Sequence, residues 1–216
     1  MYSVVKAFRR SRILKKFLKN FSPALAFIAL ILLSSCSPKD KPGGPTPAEY
    51  QIYNAVIDHI FANTPEAPRT LVAGIEDRTN AGYVPGEPHV PDAIKTTLPL
   101  SHEIIADYEA KNAQSIPLAD LFRISKPHVM LDSKKLNASF DTNPKGFWES
   151  FHKEHPGAGI IRLSQIAFNP DSSQALVYIG HVCGQGCGQG FFAMLGIKGG
   201  EWKVQALKLT WTATGF

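Results

Sequence analysis

The sequence predicts an α+β fold, with helices in its first part and a four-stranded antiparallel β-meander at its end. Two observations carry that expectation. Residues 159–168, 174–182, 190–198 and 201–212 are β-rich runs, separated by Asn169-Pro170-Asp171-Ser172-Ser173, a glycine–cysteine loop and Gly199-Gly200. Connections this short and turn-rich make antiparallel neighbours. Upstream, apolar residues recur at helical spacing between proline and glycine breaks, so helices are expected to cover one face of the meander.

The first helix is expected over about 47–62, where Tyr50, Tyr53, Ile57 and Ile60 fall near one face and Val56 and Phe61 widen it. Pro47 suits a first helical turn, and Asn63-Thr64-Pro65 stops the helix. Residues 69–79 carry Leu71, Val72 and Ile75 towards the polar end Glu76-Asp77-Arg78-Thr79, a strand. The Gly- and Pro-rich stretch 80–99 reads as a loop without regular structure. Ser101 opens a second helix reaching about 113; 118–122 reads as a short helical turn and 127–131 as a short strand. A third helix is expected over 144–155, burying Phe147, Trp148 and Phe151. In the last strand Trp202, Val204 and Ala206 alternate with Lys203 and Gln205, then the phase switches to Leu207, Leu209 and Trp211, the signature of a bulge or bend.

The N-terminus has a different character. Residues 1–35 hold seven positive side chains (Lys6, Arg9, Arg10, Arg12, Lys15, Lys16, Lys19), no acidic one, and a wholly apolar run from Ala24 to Leu33. That is the tripartite pattern of an export signal. An apolar core of ten residues is short for a spanning helix, which needs about twenty. The run ends in Leu33-Ser34-Ser35-Cys36, which resembles the lipobox of bacterial lipoproteins. The resemblance implies a diacylglycerol on the Cys36 thiol, cleavage before Cys36, frequent acylation of the new amine (palmitate, for example), and an address in the cell envelope, facing the periplasm or exterior. Two or more acyl chains anchor a protein stably where one does not, since each buried CH₂ contributes about 0.8 kcal/mol. The membrane is thus the first expected partner. Residues 36–47, the lipidated cysteine and a Pro/Gly-rich stretch, read as a solvated tether. The remaining 48–216 has the length of one α+β domain.

Cleavage alters the charge argument. The whole chain carries 23 Lys and Arg against 18 Asp and Glu, a net +5. The signal takes seven of the basic residues and none of the acidic ones, so the exported part has 16 against 18, a net −2. Nucleic acid is therefore not an expected partner, because such binding rests on a basic face.

With Cys36 acylated, Cys183 and Cys187 remain, in the tandem repeat Cys183-Gly184-Gln185-Gly186, Cys187-Gly188-Gln189-Gly190. In an oxidising compartment, three intervening residues of which two are glycine suit a structural disulfide. A redox centre is disfavoured because thioredoxin-type pairs have a two-residue spacer at a helix start. A metal site with His181 as third ligand lacks a visible fourth. Glycines that permit positive φ in a tight hairpin explain the loop better than an anion-binding nest. His152-Lys153-Glu154-His155 is one residue short of a zinc-protease motif and reads as a charged helix end beside Pro156-Gly157. His59, His89, His102 and His128 are scattered singly, and no serine sits in a Gly-x-Ser-x-Gly elbow. Glu76-Asp77 is a carboxylate pair, but neighbouring strand residues point to opposite faces. No catalytic residue, metal site or cofactor is assigned.

Glu49-Tyr50-Gln51-Ile52-Tyr53-Asn54, Gly146-Phe147-Trp148-Glu149-Ser150-Phe151, Gly159-Ile160-Ile161-Arg162-Leu163-Ser164 and Gly200-Glu201-Trp202-Lys203-Val204 occur in this order. In combination they resemble a family of uncharacterised, mostly exported bacterial proteins, over about Tyr50 to Val204. The resemblance implies the domain boundary and supplies no site; relatives that lack the cysteine pair weigh against a catalytic role for it. The expectation is a membrane-anchored envelope lipoprotein with a non-catalytic binding or accessory domain, whose partner is an envelope protein or polymer. The rival is an envelope hydrolase or redox enzyme with a site assembled only in the fold, around Glu76, Asp77, Arg162 or His181.

Cys36→Ala is expected to leave an unprocessed precursor that incorporates no labelled fatty acid. A mutant still cleaved, and still partitioning with membranes as the wild type does, would contradict the lipobox reading.

Overall fold

The computed structural model describes residues 43–64, 69–80 and 89–214; the expected signal, Cys36 and most of the expected tether lie outside them. Helix α1 (Pro47–Asn63) starts at Thr46, whose hydroxyl accepts from the Glu49 amide while Glu49 reaches back to the Thr46 amide at 2.7 Å. This reciprocal cap satisfies two end groups of the helix at once. The other elements, in order, are β1 (Val72–Glu76), α2 (Asp92–Lys95), α3 (His102–Asn112), β2 (His128–Leu131), α4 (Ser133–Thr142), α5 (Phe147–Glu154), β3 (Ala158–Leu163), β4 (Ala167–Phe168), β5 (Gln174–Gly184), β6 (Cys187–Lys198) and β7 (Glu201–Thr214). Among the described residues, no helix is long and apolar enough to cross a membrane.

The class is α+β, and β3, β5, β6 and β7 are antiparallel neighbours, as the turn signals predict. The sheet is larger than a four-stranded meander. Among the described residues it has seven strands, in the order β2-β1-β3-β5-β6-β7, with β4 pairing β5 beside β3. Strand β1 runs parallel to both β2 and β3, so the sheet is mixed. Hydrogen bonding explains the extension: β3 offers a second edge, and β1, buried along most of its length, needs backbone partners on both sides.

Helices cover both faces, where the sequence suggested one. On one face α1 lays Tyr53, Val56, Ile57 and Ile60 over Ile75, Ile161, Val177 and Ile179. On the other, Ile94, Ile104 and Tyr108 pack on Leu176, Tyr178 and Phe192, while Leu136, Phe147 and Phe151 pack on Ala158 and Ile160. Alternate residues of β3 and β5 thus enter different cores, which is why both strands read as almost unbroken apolar runs.

Three local expectations are corrected. Residues 118–122 form no helical turn. The 119–125 segment runs along α1, and the Ala119, Arg123 and Ser125 amides donate to Tyr50 Oη, Asn54 Oδ1 and Asp58 Oδ1 at 2.6, 2.9 and 2.8 Å. Those acceptors stand one helical turn apart, so they draw the segment out along the helix axis. The stretch 80–99 contains the short helix α2, while 81–88 lies outside the described residues. The first predicted β-run breaks after Leu163, where Ser164 Oγ accepts from the Tyr178 amide and β4 begins only at Ala167.

The expected phase switch in the last strand occurs twice. Met194 pairs Ala206 and Leu195 pairs Val204, leaving Gln205 extra; Gly190 pairs Trp211 and Phe191 pairs Leu209, leaving Thr210 extra. Val204 and Leu207 therefore face the α1 core, whereas Trp211 crosses to the other side and donates to Tyr178 Oη at 2.8 Å. Gly188 and Gly190 make room for its ring: a Cβ on Gly188 would stand 3.2 Å from it, and one on Gly190 would overlap it.

Cys183 and Cys187 close the β5–β6 hairpin with a disulfide, their Cα atoms 5.2 Å apart. Gly184 pairs Cys187, the register shifts between Val182 and Gly184, and Gly186 takes φ +66° in the turn. A ring this small contributes about 2 kcal/mol on the chain-entropy estimate. Thiol counting under denaturing conditions on chain purified from an oxidising compartment should find neither thiol free, and reduction should lower stability by a few kcal/mol at most while leaving the fold. Two free thiols would refute the pairing, and one equivalent of bound zinc would favour a metal site instead.

Candidate binding groove

The carboxyl ends of β1, β2 and β3 lie on the same side of the sheet, and β2 and β3 flank β1 there. Parallel strands of open sheets commonly hold ligands beyond that end, where the strand order reverses. A cleft of about 340 Å³ occupies this place, with Glu76 from the last position of β1 among its lining residues. Its walls are Thr79 and Asn80 beyond β1, the C-terminal end of α3 with Asn112 and Gln114, and the first turns of α4 with Ser133, Lys134 and Asn137.

Those walls are internally bonded. Thr79 and Ile116 exchange backbone and side-chain bonds, Ser115 Oγ donates to the Thr79 carbonyl, and Arg78 donates to the Ser115 carbonyl at 2.7 Å. At the end of α3, the Gln165 amide nitrogen donates to the Lys111 and Gln114 carbonyls at 2.6 and 2.7 Å. Asn112 accepts from the Gln165 backbone and donates to the Tyr108 and Gln165 carbonyls. Gln165 thereby ties the end of α3 to the turn that follows it, and the wall is fixed.

Glu76 is buried to 5 % exposure, and Arg162 of β3 donates from Nε to its Oε1 at 2.7 Å. Burial raises the Glu76 carboxyl above its ordinary value, and Arg162 opposes that rise by charge and hydrogen bond. Asp77 behaves differently. Its slight burial would raise it, but the Ser133 hydroxyl and amide both donate to Oδ1 and hold its carboxyl low. The two adjacent carboxylates diverge as strand geometry requires, one to Arg162 and the other to the start of α4.

A second compartment of about 230 Å³ adjoins the first. Phe140, Phe147 and Trp148 line it with Leu136, Ile160 and Val182, and Arg162 stands at its edge. Asn137 lines both compartments, and the Glu76–Arg162 pair divides them, Glu76 facing one and Arg162 the other. Beside α4 the chain thus has two neighbouring pockets that share Asn137 as a wall, one polar and one mostly apolar, which together are called the groove.

The remaining candidate residues lie elsewhere or are engaged. His181 is 1 % exposed, its Nε2 2.8 Å from Thr70 Oγ1 and its ring edge-on to Phe61. Burial lowers its pKa to about 4, with the Lys126 charge adding to the effect, so it is a neutral core residue at neutral pH. Gly159 fits beneath it, since a Cβ there would stand 2.7 Å from both His181 Nε2 and Thr70 Oγ1. His155 caps α5 and packs on Phe151, while Lys153 pairs with Glu149 at 2.8 Å, so 152–155 is a charged helix end. His128 pairs with Asp120 at 2.8 Å, His59 lies within α1 and His102 opens α3. Among the described residues, no group of three or more His, Cys, Asp and Glu is placed to hold a metal ion.

Sequence reasoning named Glu76 and Arg162 but missed Ser133, Asn137, Phe140 and the whole of α4. The available signals were Asp132, which accepts from the Lys134 and Lys135 amides as an N-cap, and Leu136 and Phe140 at helical spacing. Compared with known proteins, the chain matches no family model, no curated protein and no solved structure.

Proposed function

We propose that this chain is a bacterial envelope lipoprotein, anchored through acyl chains on Cys36, and that its folded part is a non-catalytic binding domain. The ligand lies in the groove beside α4. The observation that carries this reading is the junction of the two compartments at Glu76 and Arg162, a concave site with an apolar half and a few convergent polar groups. The walls use their own polar groups on each other, so what they present to a ligand is shape, Asn137, Lys134 and the groups of the central pair. The tether of 36–47 places such a site within a few nanometres of a membrane, in reach of envelope components.

One observation favours the rival enzyme. A buried carboxyl raised by desolvation in a cleft, as Glu76 is, suits a general acid. Against it, Ser133, the hydroxyl nearest to an activating carboxylate, donates to an Asp77 held low, with no histidine between them. The disulfide also ties up both cysteines of the folded part.

Replacing Asn137 with the photoreactive benzoylphenylalanine in the full-length chain, in its native host, tests the reading. Irradiation is expected to trap an envelope component of discrete mass, unaltered by the protein. The reading fails if nothing is trapped at 137, and a trapped species recovered as a cleaved product would establish the enzyme.

A further inference from the structure

We infer that the groove takes a small carboxylic acid with an apolar body, its carboxylate on Arg162 and its body among Phe140, Phe147 and Trp148. This deepens the binding reading above and rests on it. The head is assigned by the way Arg162 is held. Only its Nε donates to Glu76; among the described residues the two terminal nitrogens have no hydrogen-bond partner. A guanidinium is planar and presents its donors as a rigid fork that matches a carboxylate. Glu76, almost wholly buried, fixes the plane of that fork from behind and leaves its outer prongs free, on a side chain that is 38 % exposed.

The body is assigned by the pocket beside the fork. Apart from Arg162 and Asn137, all of its lining is apolar. Phe147 stands edge-on to Phe140 at 5.4 Å and to Trp148 at 5.2 Å, so the rings form a continuous wall. Phe140 is 51 % exposed, which leaves an aromatic ring at the mouth partly uncovered by the protein itself. A ligand bearing hydroxyls along its length would bury them here without partners, at a cost of about 1–3 kcal/mol each. A cationic head would meet Arg162, because the Glu76 carboxylate faces the other compartment. One anionic head on an apolar body is the combination that satisfies both surfaces.

The test uses the full-length acylated chain in lipid nanodiscs, with labelled octanoate in equilibrium dialysis and empty nanodiscs as the blank. Saturable binding near one equivalent is expected, with octanol and octylamine at least tenfold weaker. Arg162→Gln should weaken octanoate tenfold or more, and Arg162→Lys, which keeps the charge and loses the fork, should also weaken it. Should the arginine variants fail to fold, Phe140→Asp at the exposed mouth gives an independent reading, again with at least a tenfold loss. Absence of saturable octanoate binding overturns the inference, as does unchanged affinity in Arg162→Gln or in Phe140→Asp. Octanol binding as tightly as octanoate also overturns it, while leaving a groove that binds apolar molecules. Photocrosslinking at position 137 does not depend on the head group, so a species trapped there together with no octanoate binding would reject the ligand class and keep the binding domain.

Discussion

A carboxylate inside a sheet covered on both faces must have a partner, and the groove is organised around that requirement. Helices lie on both sides of β1 and β3, so the layers between are apolar almost throughout, yet β1 ends with Glu76 in one of them. An unpaired charge there would be costly. Arg162 answers it from the neighbouring strand, and parallel pairing of β1 with β3 brings both residues to the same end of the sheet. The pair then acts as a partition: the polar wall from the end of α3, residues 78–80 and the start of α4 lies on one side, and the aromatic wall from Phe140 of α4 and from α5 on the other.

The pair also sets a pH dependence. The folded value of Glu76 is raised above the 4.5 of an unperturbed glutamate. Its protonated form therefore favours the folded state below 4.5, and that advantage is lost as pH rises through the raised value. Arg162 limits the loss. His181 works in the opposite sense on the other face: with a folded value near 4 against 6.5, it stays neutral while the unfolded chain protonates, so stability falls as pH drops from 6.5 towards 4.

Much of the fold is legible in the sequence because its signals are local. Turn residues delimit β5, β6 and β7, and helical spacing marks α1 and α3. The change of phase near Ala206 announces a bulge, although the second shift, at Thr210, sends Trp211 to the opposite face and could not be read from alternation. What escapes is non-local. Nothing in Val72–Glu76 says that its partners will be parallel strands more than fifty residues away, and the outstretched 119–125 segment depends on acceptors supplied by α1. Helix α4 escapes for a related reason: with Leu136 as its one buried large apolar side chain, it has few apolar residues to read and is held by its cap and by what it covers. Glu76 and Arg162 were visible as residues, but their meeting was not, since 86 positions separate them.

The groove depends on the mutual support of Glu76 and Arg162. A double-mutant cycle with Glu76→Gln, Arg162→Gln and the double variant, read by urea unfolding at pH 7 and again in acid, tests it most directly. Coupling of about 1–3 kcal/mol is predicted at pH 7, where removing Arg162 leaves a buried carboxylate alone. It should shrink towards zero as pH falls through the raised Glu76 value and the carboxyl protonates in the folded state. Losses at pH 7 that simply add, within about 0.3 kcal/mol, would contradict the account and leave the groove without its organising pair.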